Sequence, residues 1–173
     1  SVGATLIGGH SEVTYGIDRP IIMGTMLGEV EREKHISTGG AQEGDSIVLT
    51  KGIAVEGTAL LARERGRALL EAGVPGESIE KAGGWLSNPG ISVVKEARIA
   101  CAVAQVHSMH DVTEGGLATG LREVAQASSL GLAVEEGSIP VFPECREVCQ
   151  ALGLNPLGLL ASGALLVTLP AGD

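Results

Sequence analysis

The sequence predicts an α/β (α+β) domain, a mixed β-sheet flanked by helices. Three observations predict it. Short Val/Ile/Leu runs such as Ser46–Thr50 and Ala164–Leu169 alternate with longer segments of helical periodicity. The punctuation between them is Gly and Pro, as in Gly73–Val74–Pro75 and Ser87–Asn88–Pro89–Gly90. Interspersed strands and helices of this kind pack as layers around one core. At 173 residues and 44% hydrophobic composition, the chain is large enough for such a core. Tyr15, Trp85 and Phe142 are its three aromatic residues, so the core is aliphatic.

In chain order, Pro20–Leu27 reads as a strand rich in Ile and Met, followed by a charged loop over 29–35 and a Gly-rich turn over 37–45. Ser46–Thr50 is a short apolar strand. Val55–Ala72 has helical spacing, with Leu60, Leu61, Ala68 and Leu69 on one side, and stops at Gly73 and Pro75. Ser92–Val106 is a second helix, with Val94, Ile99, Ala102, Val103 and Val106 recurring at its period and Ser92 as N-cap. A strand over Ser108–Val112 precedes a helix over Glu114–Ala127. Leu132–Glu135 reads as a strand. Pro143–Leu152 is a helix with proline in its first turn, and Ala164–Leu169 is the last strand.

Net charge is −9 with no basic patch, which argues against nucleic acid as a partner. No apolar run reaches the ~18 residues of a membrane span, and the start of the chain has no basic segment of the signal-peptide type. Three cysteines, Cys101, Cys145 and Cys149, without histidines at ligand spacing, give no metal site and fit a reduced, cytoplasmic protein. There is no Walker A loop, no GxGxxG and no Ser-His-Asp spacing.

Four segments carry chemistry. In Gly8–Val13, His10 and Glu12 share a face if the segment is a strand. They serve either in proton transfer and phosphate handling or as parts of a hinge. Lys51, at the end of a strand, either meets a phosphate or is a solvated side chain. In Met109–Leu117, a strand ends in Asp111 and Thr113, and Gly115–Gly116 open a helix whose free N–H groups suit an anion. The alternative is that Asp111 or Thr113 caps the helix and the glycines make its turn. Asn155–Gly163 ends in Ser162–Gly163.

These segments, in this order, resemble the aminoimidazole ribonucleotide (AIR) synthase superfamily. Gly8-Gly9-His10-Ser11-Glu12 is similar to its GGHTE signature, with Ser11 for Thr; Met109–Leu117 resembles its D-x-T-x-G-G-L motif. The stretch Lys51–Ala59 and the segment from Asn155 to Gly163 resemble HypE, the hydrogenase-maturation branch. The resemblance implies a three-layer sandwich of the superfamily's C-terminal-domain type over residues 16–173, cut short at its end. Residues 1–15 are expected to be a linker and first strand belonging to an absent N-terminal domain. It also implies an ATP-dependent enzyme, with ATP and Mg²⁺ held mainly by that absent domain, and ATP-driven dehydration of a carbamoyl group as the HypE-like reaction. Purine-pathway AIR synthase, selenophosphate synthetase, and a non-catalytic binding or scaffold domain stay open as alternatives. The HypE branch carries Glu where this chain has Ser162, and selenophosphate synthetases carry the Ser-Gly pair. On this reading His10, Glu12, Asp111 and Ser162 are the candidate catalytic residues. Lys51, Thr113, Gly115, Gly116 and Gly163 are the candidate ATP-contacting ones. The expected partners are the N-terminal domain, a second copy in a homodimer, and a maturation protein. The chain alone is expected to be inactive.

Overall fold

The computed structural model describes residues 3–172, which divide into two compact units, one ending at His35 and one beginning at Ile36. In the first unit the described residues form no strand and no α-helix; a single 3-10 turn spans Arg32–Lys34. The strand expected over Pro20–Leu27 is absent, and Ile22 and Met23 are each 93% exposed. An extended segment becomes a strand only when a neighbour takes up its amides and carbonyls. No strand pairing among the described residues involves this one.

The second unit contains β1 (Ser46–Leu49), α1 (Val55–Glu64), α2 (Gly66–Glu71), α3 (Gly76–Gly83) and α4 (Val94–Val103), then β2 (Ser108–Val112), α5 (Gly116–Ser128), α6 (Pro143–Leu152) and β3 (Ala164–Leu169). The sheet order is β1-β3-β2 and both pairings are antiparallel. The parallel component is an isolated bridge between Ser37 and Ser108. β3 is central and buried along its whole length, which explains why its sequence is apolar at every position but Thr168. Leu166 and Ala164 face α1, α5 and α6 through a core that includes Val55, Leu117, Val124 and Cys145. Leu165, Val167 and Leu169 face the other way, onto Val93, Ala97, Ala100 and Ala104 of and beside α4. Helices thus cover both faces, giving the three-layer arrangement.

Several elements differ from the sequence reading. The helix expected over 55–72 breaks at Arg65 (φ −122°, ψ 15°), and α2 restarts at Gly66. α3 went unread between the two glycine-rich stretches. α4 turns its small residues to the sheet, so Ile99 and Val103 of the expected apolar stripe are 51% and 77% exposed. Alanines let the helix approach β3 closely, and that geometry outweighs the larger side chains. The Ser92 hydroxyl accepts from Val94 N at 3.5 Å, while Val93 holds the cap position. Leu132–Glu135 is not a strand. It lines a groove of about 890 Å³ of mixed polarity, with Leu49, Leu117 and Leu166 and with Glu43 and Asp45. None of the predicted site residues lines that groove. α6 matches its expected bounds: Pro143 supplies its first position and Gly153 (φ +65°) its left-handed end.

Two histidines pin the 37–45 segment to β2. His107 Nδ1 lies 2.9 Å from Asp45 Oδ1, with the two side chains only 11% and 7% exposed. His110 bridges Thr38 Oγ1 (3.2 Å) and Glu123 Oε2 (2.8 Å). Burial alone pushes the Asp45 carboxyl up, but the Gln42 amide and His107 outweigh it and hold it below the ordinary carboxylate value. A carboxylate depressed in the folded state stabilises the fold above its unfolded value of about 4. That contribution disappears as pH falls through the lower folded value. Asp45→Asn is therefore expected to cost about 1–3 kcal/mol at neutral pH. The deficit should shrink in acid; urea unfolding at several pH values checks it, and a pH-independent deficit contradicts it.

Candidate functional site at one end of the sheet

β1 and β2 run toward the end of the sheet from which β3 starts, so their last residues and the first residues of β3 meet there. Thr50 holds β3 twice: its N–H donates to Leu165 O (3.1 Å) and its hydroxyl accepts from Leu165 N (3.1 Å). Lys51 follows with a left-handed backbone (φ +59°), as does Ala54 (φ +59°). Such a conformation costs a non-glycine residue about 1–2 kcal/mol and persists where surroundings enforce it.

The surroundings of Lys51 are specific. Its ammonium donates to Ser92 O (2.7 Å) and Gly90 O (3.3 Å) and pairs with Glu96 Oε1 at 3.1 Å. The side chains are 12% and 20% exposed. Burial raises the Glu96 carboxyl, but its own backbone amide and Lys51 bring it below its ordinary value. Lys51 is therefore neither solvated nor free to grip an anion; it clamps the start of α4 and the 90–92 loop to the end of β1.

That loop lies against the turn before β3. Ala164 N donates to Ala161 O (3.1 Å), placing Ser162 and Gly163 at the two central turn positions. Gly163 has φ +104°, and a Cβ there meets Gly90 O and Ile91 Cα, each at 3.1 Å. Glycine is required on both counts. Across the sheet, Thr113 O accepts from Ala161 N and from Gly116 N, both at 3.2 Å. This ties the Ser162 turn to the start of α5. The Thr113 hydroxyl also holds the exposed Glu114 carboxyl below its usual range, aided by Glu114's own amide.

Gly115 (φ +76°) is the residue before α5, and a Cβ on it runs into the Thr119 side chain. Gly116 (φ +63°) has the backbone of Leu157–Leu159 against it, with Leu157 O 2.5 Å and Leu159 O 2.6 Å from an ideal Cβ. The space beside Gly116 thus belongs to protein backbone. α5 has no side-chain cap and no acidic residue in its first turn, but the Glu114 carboxylate stands two residues before it and the Gly116 N–H is already taken by Thr113 O. Asp111 pairs with Leu165 on β3, on the sheet face that carries α4, and its side chain is exposed.

The structure brings together Lys51, Asp111, Thr113, Gly115, Gly116, Ser162 and Gly163. His10 and Glu12 lie in the other unit, 4.0 Å apart and 83% and 79% exposed. Sequence reasoning missed the role of Glu96 and of the Gly90–Ser92 carbonyls; only the Gly90 turn signal and the proximity of Ser92 to a helix start hinted at them. No group of three or more His, Cys, Asp or Glu among the described residues is placed to hold a metal ion.

A profile described as AIR synthase related protein, C-terminal domain, matches residues 42–173. The chain belongs to this family. A putative hydrogenase expression/formation protein of Methanocaldococcus jannaschii is 33% identical over 97% of this chain and 47% of its own length. The carbamoyl dehydratase HypE of Cupriavidus necator is 31% identical over 90% of this chain and 41% of its own. Among solved structures, hydrogenase maturation protein HypE in complex with ATP superposes with a TM-score of 0.59 at 27% identity, over 83% of this chain and 39% of that one. The chain spans about half the length of the curated relatives it matches. For this AIR synthase related domain, no helix among the described residues is long and apolar enough to cross a membrane.

Proposed function

We propose that the chain is the C-terminal domain of an ATP-using hydrogenase-maturation protein of the HypE type, acting on a carbamoyl group. The observation that carries this reading is the Thr113–Ala161 hydrogen bond, which ties the start of α5 to the Ser162–Gly163 turn at the end of the sheet near which Asp111 also lies. The relatives and the ATP-bound neighbour support the same direction. When bound, ATP would supply its terminal phosphoryl group to an amide oxygen, with ADP released, so that the oxygen could depart as phosphate. The residues of this chain shape one wall of that site. The α5 start favours negative charge beside the rim. Ser162 presents a hydroxyl from a fixed turn, and Asp111 presents a carboxylate from the strand end, suited to holding or accepting a proton. Lys51 positions the 90–92 loop rather than touching the nucleotide. The described residues of this chain offer no group of three or more ligands for a metal ion, so on this proposal Mg²⁺ would be held largely by the nucleotide's phosphates and by residues outside this chain. On this proposal His10 and Glu12 of this chain act together with the half of the relatives' length that it does not span, which supplies the rest of the nucleotide contacts and the dimer contacts.

Asp111 is exposed and on the rim, so its loss should affect turnover more than stability. In a polypeptide of the relatives' length carrying this sequence, Asp111→Asn is expected to lower ATP turnover about tenfold or more. Unfolding free energy should stay within about 0.5 kcal/mol of the parent. Normal turnover removes Asp111 from the site.

A further inference from the structure

A second recess, of about 550 Å³, lies between α3 and the start of α6, formed by residues other than those of the sheet-end rim. Trp85 and Phe142 form its apolar wall, their ring centroids 5.0 Å apart and tilted by 58°. Asn88, Glu80, Lys81 and Glu144 supply its polar groups. Glu144 is the decisive residue. Its side chain is 8% exposed, Oε1 takes the Lys81 ammonium, and Oε2 is buried with no hydrogen-bond partner among the described residues. Lys81 is 62% exposed and reaches Glu144 from the solvent side.

A buried carboxylate oxygen without a donor costs more than an exposed one, and proteins rarely leave it so. Burial works against the charged form of Glu144, but Lys81 and the Glu144 backbone amide in the first turn of α6 keep its carboxyl below the ordinary value. The carboxylate therefore keeps an acceptor oxygen that no side-chain donor among the described residues satisfies. Glu80 and Glu144 outweigh Lys81, so the lining favours a cation. A guanidinium is weakly hydrated, donates in its plane and lies well against aromatic rings, whereas an ammonium keeps its water more tightly.

We propose that this recess binds a guanidinium group, with the Glu144 carboxylate accepting its N–H and Trp85 and Phe142 forming the apolar wall. The group comes either from a free small molecule or from an arginine side chain of a protein partner.

Trp85 is the one tryptophan of the chain, so its fluorescence reports the recess directly. The chain is titrated at constant ionic strength with methylguanidinium, with a blocked Gly-Arg-Gly peptide, and with neutral N-methylurea. Saturable change with the two cations and not with the urea is expected. A peptide that binds about tenfold more tightly than methylguanidinium assigns the site to an arginine side chain. Equal affinity assigns it to a free ligand. Glu144→Gln is expected to weaken binding at least about tenfold. Should Glu144→Gln fail to fold, Lys81→Gln decides: freeing the carboxylate from its ammonium should tighten methylguanidinium binding about threefold or more. Non-saturable titrations, equal binding of N-methylurea, or unchanged affinity in Lys81→Gln overturns the proposal.

Discussion

Gly116→Ala is expected to lower the unfolding free energy by about 3 kcal/mol or more, the largest loss from any single added methyl group considered. Two costs combine. The residue sits at φ +63°, where an L side chain loses about 1 kcal/mol against glycine. The new Cβ also lies 2.5 Å from Leu157 O, 2.6 Å from Leu159 O and 2.8 Å from Gly158 C. These are backbone atoms, so a rotamer change cannot relieve the overlap. The loop itself must move. It carries Leu157 and Leu159 into the core and continues to Ala161, whose N–H bonds Thr113 O. Loss of packing and loss of the rim's shape therefore come together. Gly158 is the control in the same loop: a Cβ there meets nothing within 4 Å, so Gly158→Ala should change stability by no more than about 0.5 kcal/mol. Urea unfolding of both variants separates the close approach at Gly116 from a general intolerance of the loop. Equal, small effects contradict it.

Lys51→Met is expected to cost about 2–3 kcal/mol at neutral pH. The substitution keeps the aliphatic stem and removes the donor shared by Gly90 O, Ser92 O and Glu96. Glu96 is then left largely buried without its partner. The pH dependence identifies the cause. Glu96 is depressed in the folded state, so the clamp stabilises the fold above the ordinary carboxylate value and stops doing so as pH falls through the lower folded value. The deficit of Lys51→Met should therefore be largest near neutrality and smaller in acid. Lys51→Met combined with Glu96→Gln should recover part of the loss, because the uncompensated charge goes with it. A double variant as unstable as the sum of the singles shows that Lys51 and Glu96 do not act as a pair.

The parts of the fold legible in the sequence are those whose residues satisfy local and tertiary demands at once. β3 reads as a buried central strand because Ala164–Leu169 is apolar at every position but Thr168, which pairs with Ser108 at 3.0 Å. α6 reads correctly because Pro143 and Gly153 mark both ends. Elements set by distant partners were less legible. Pro20–Leu27 has strand composition, but composition supplies no neighbour for its backbone. α4 has two faces that a helical period can serve, and packing against β3 selected the alanines over Ile99 and Val103. The site shows the same division. Asp111, Thr113 and the glycine pair were visible as a strand-to-helix junction. The clamp on Lys51 was not, since its acceptors include two backbone carbonyls about forty residues further along the chain and sequence carries no sign of carbonyl direction. Glycine was legible as a need for close approach, but only the structure says that Gly116 is approached by Leu157–Leu159 rather than left open.

The most direct test of the central claim, that the Asp111–Thr113–Ser162 rim forms one wall of an ATP site, is calorimetric titration of ATP with Mg²⁺. It should compare this chain alone, a polypeptide of the relatives' length containing it, and that polypeptide with Asp111→Asn and Ser162→Ala. The account predicts no measurable binding by the chain alone, binding by the longer form, and affinity about tenfold or more weaker in the double variant at unchanged stability. Full affinity in the double variant contradicts it and leaves the rim a purely structural junction.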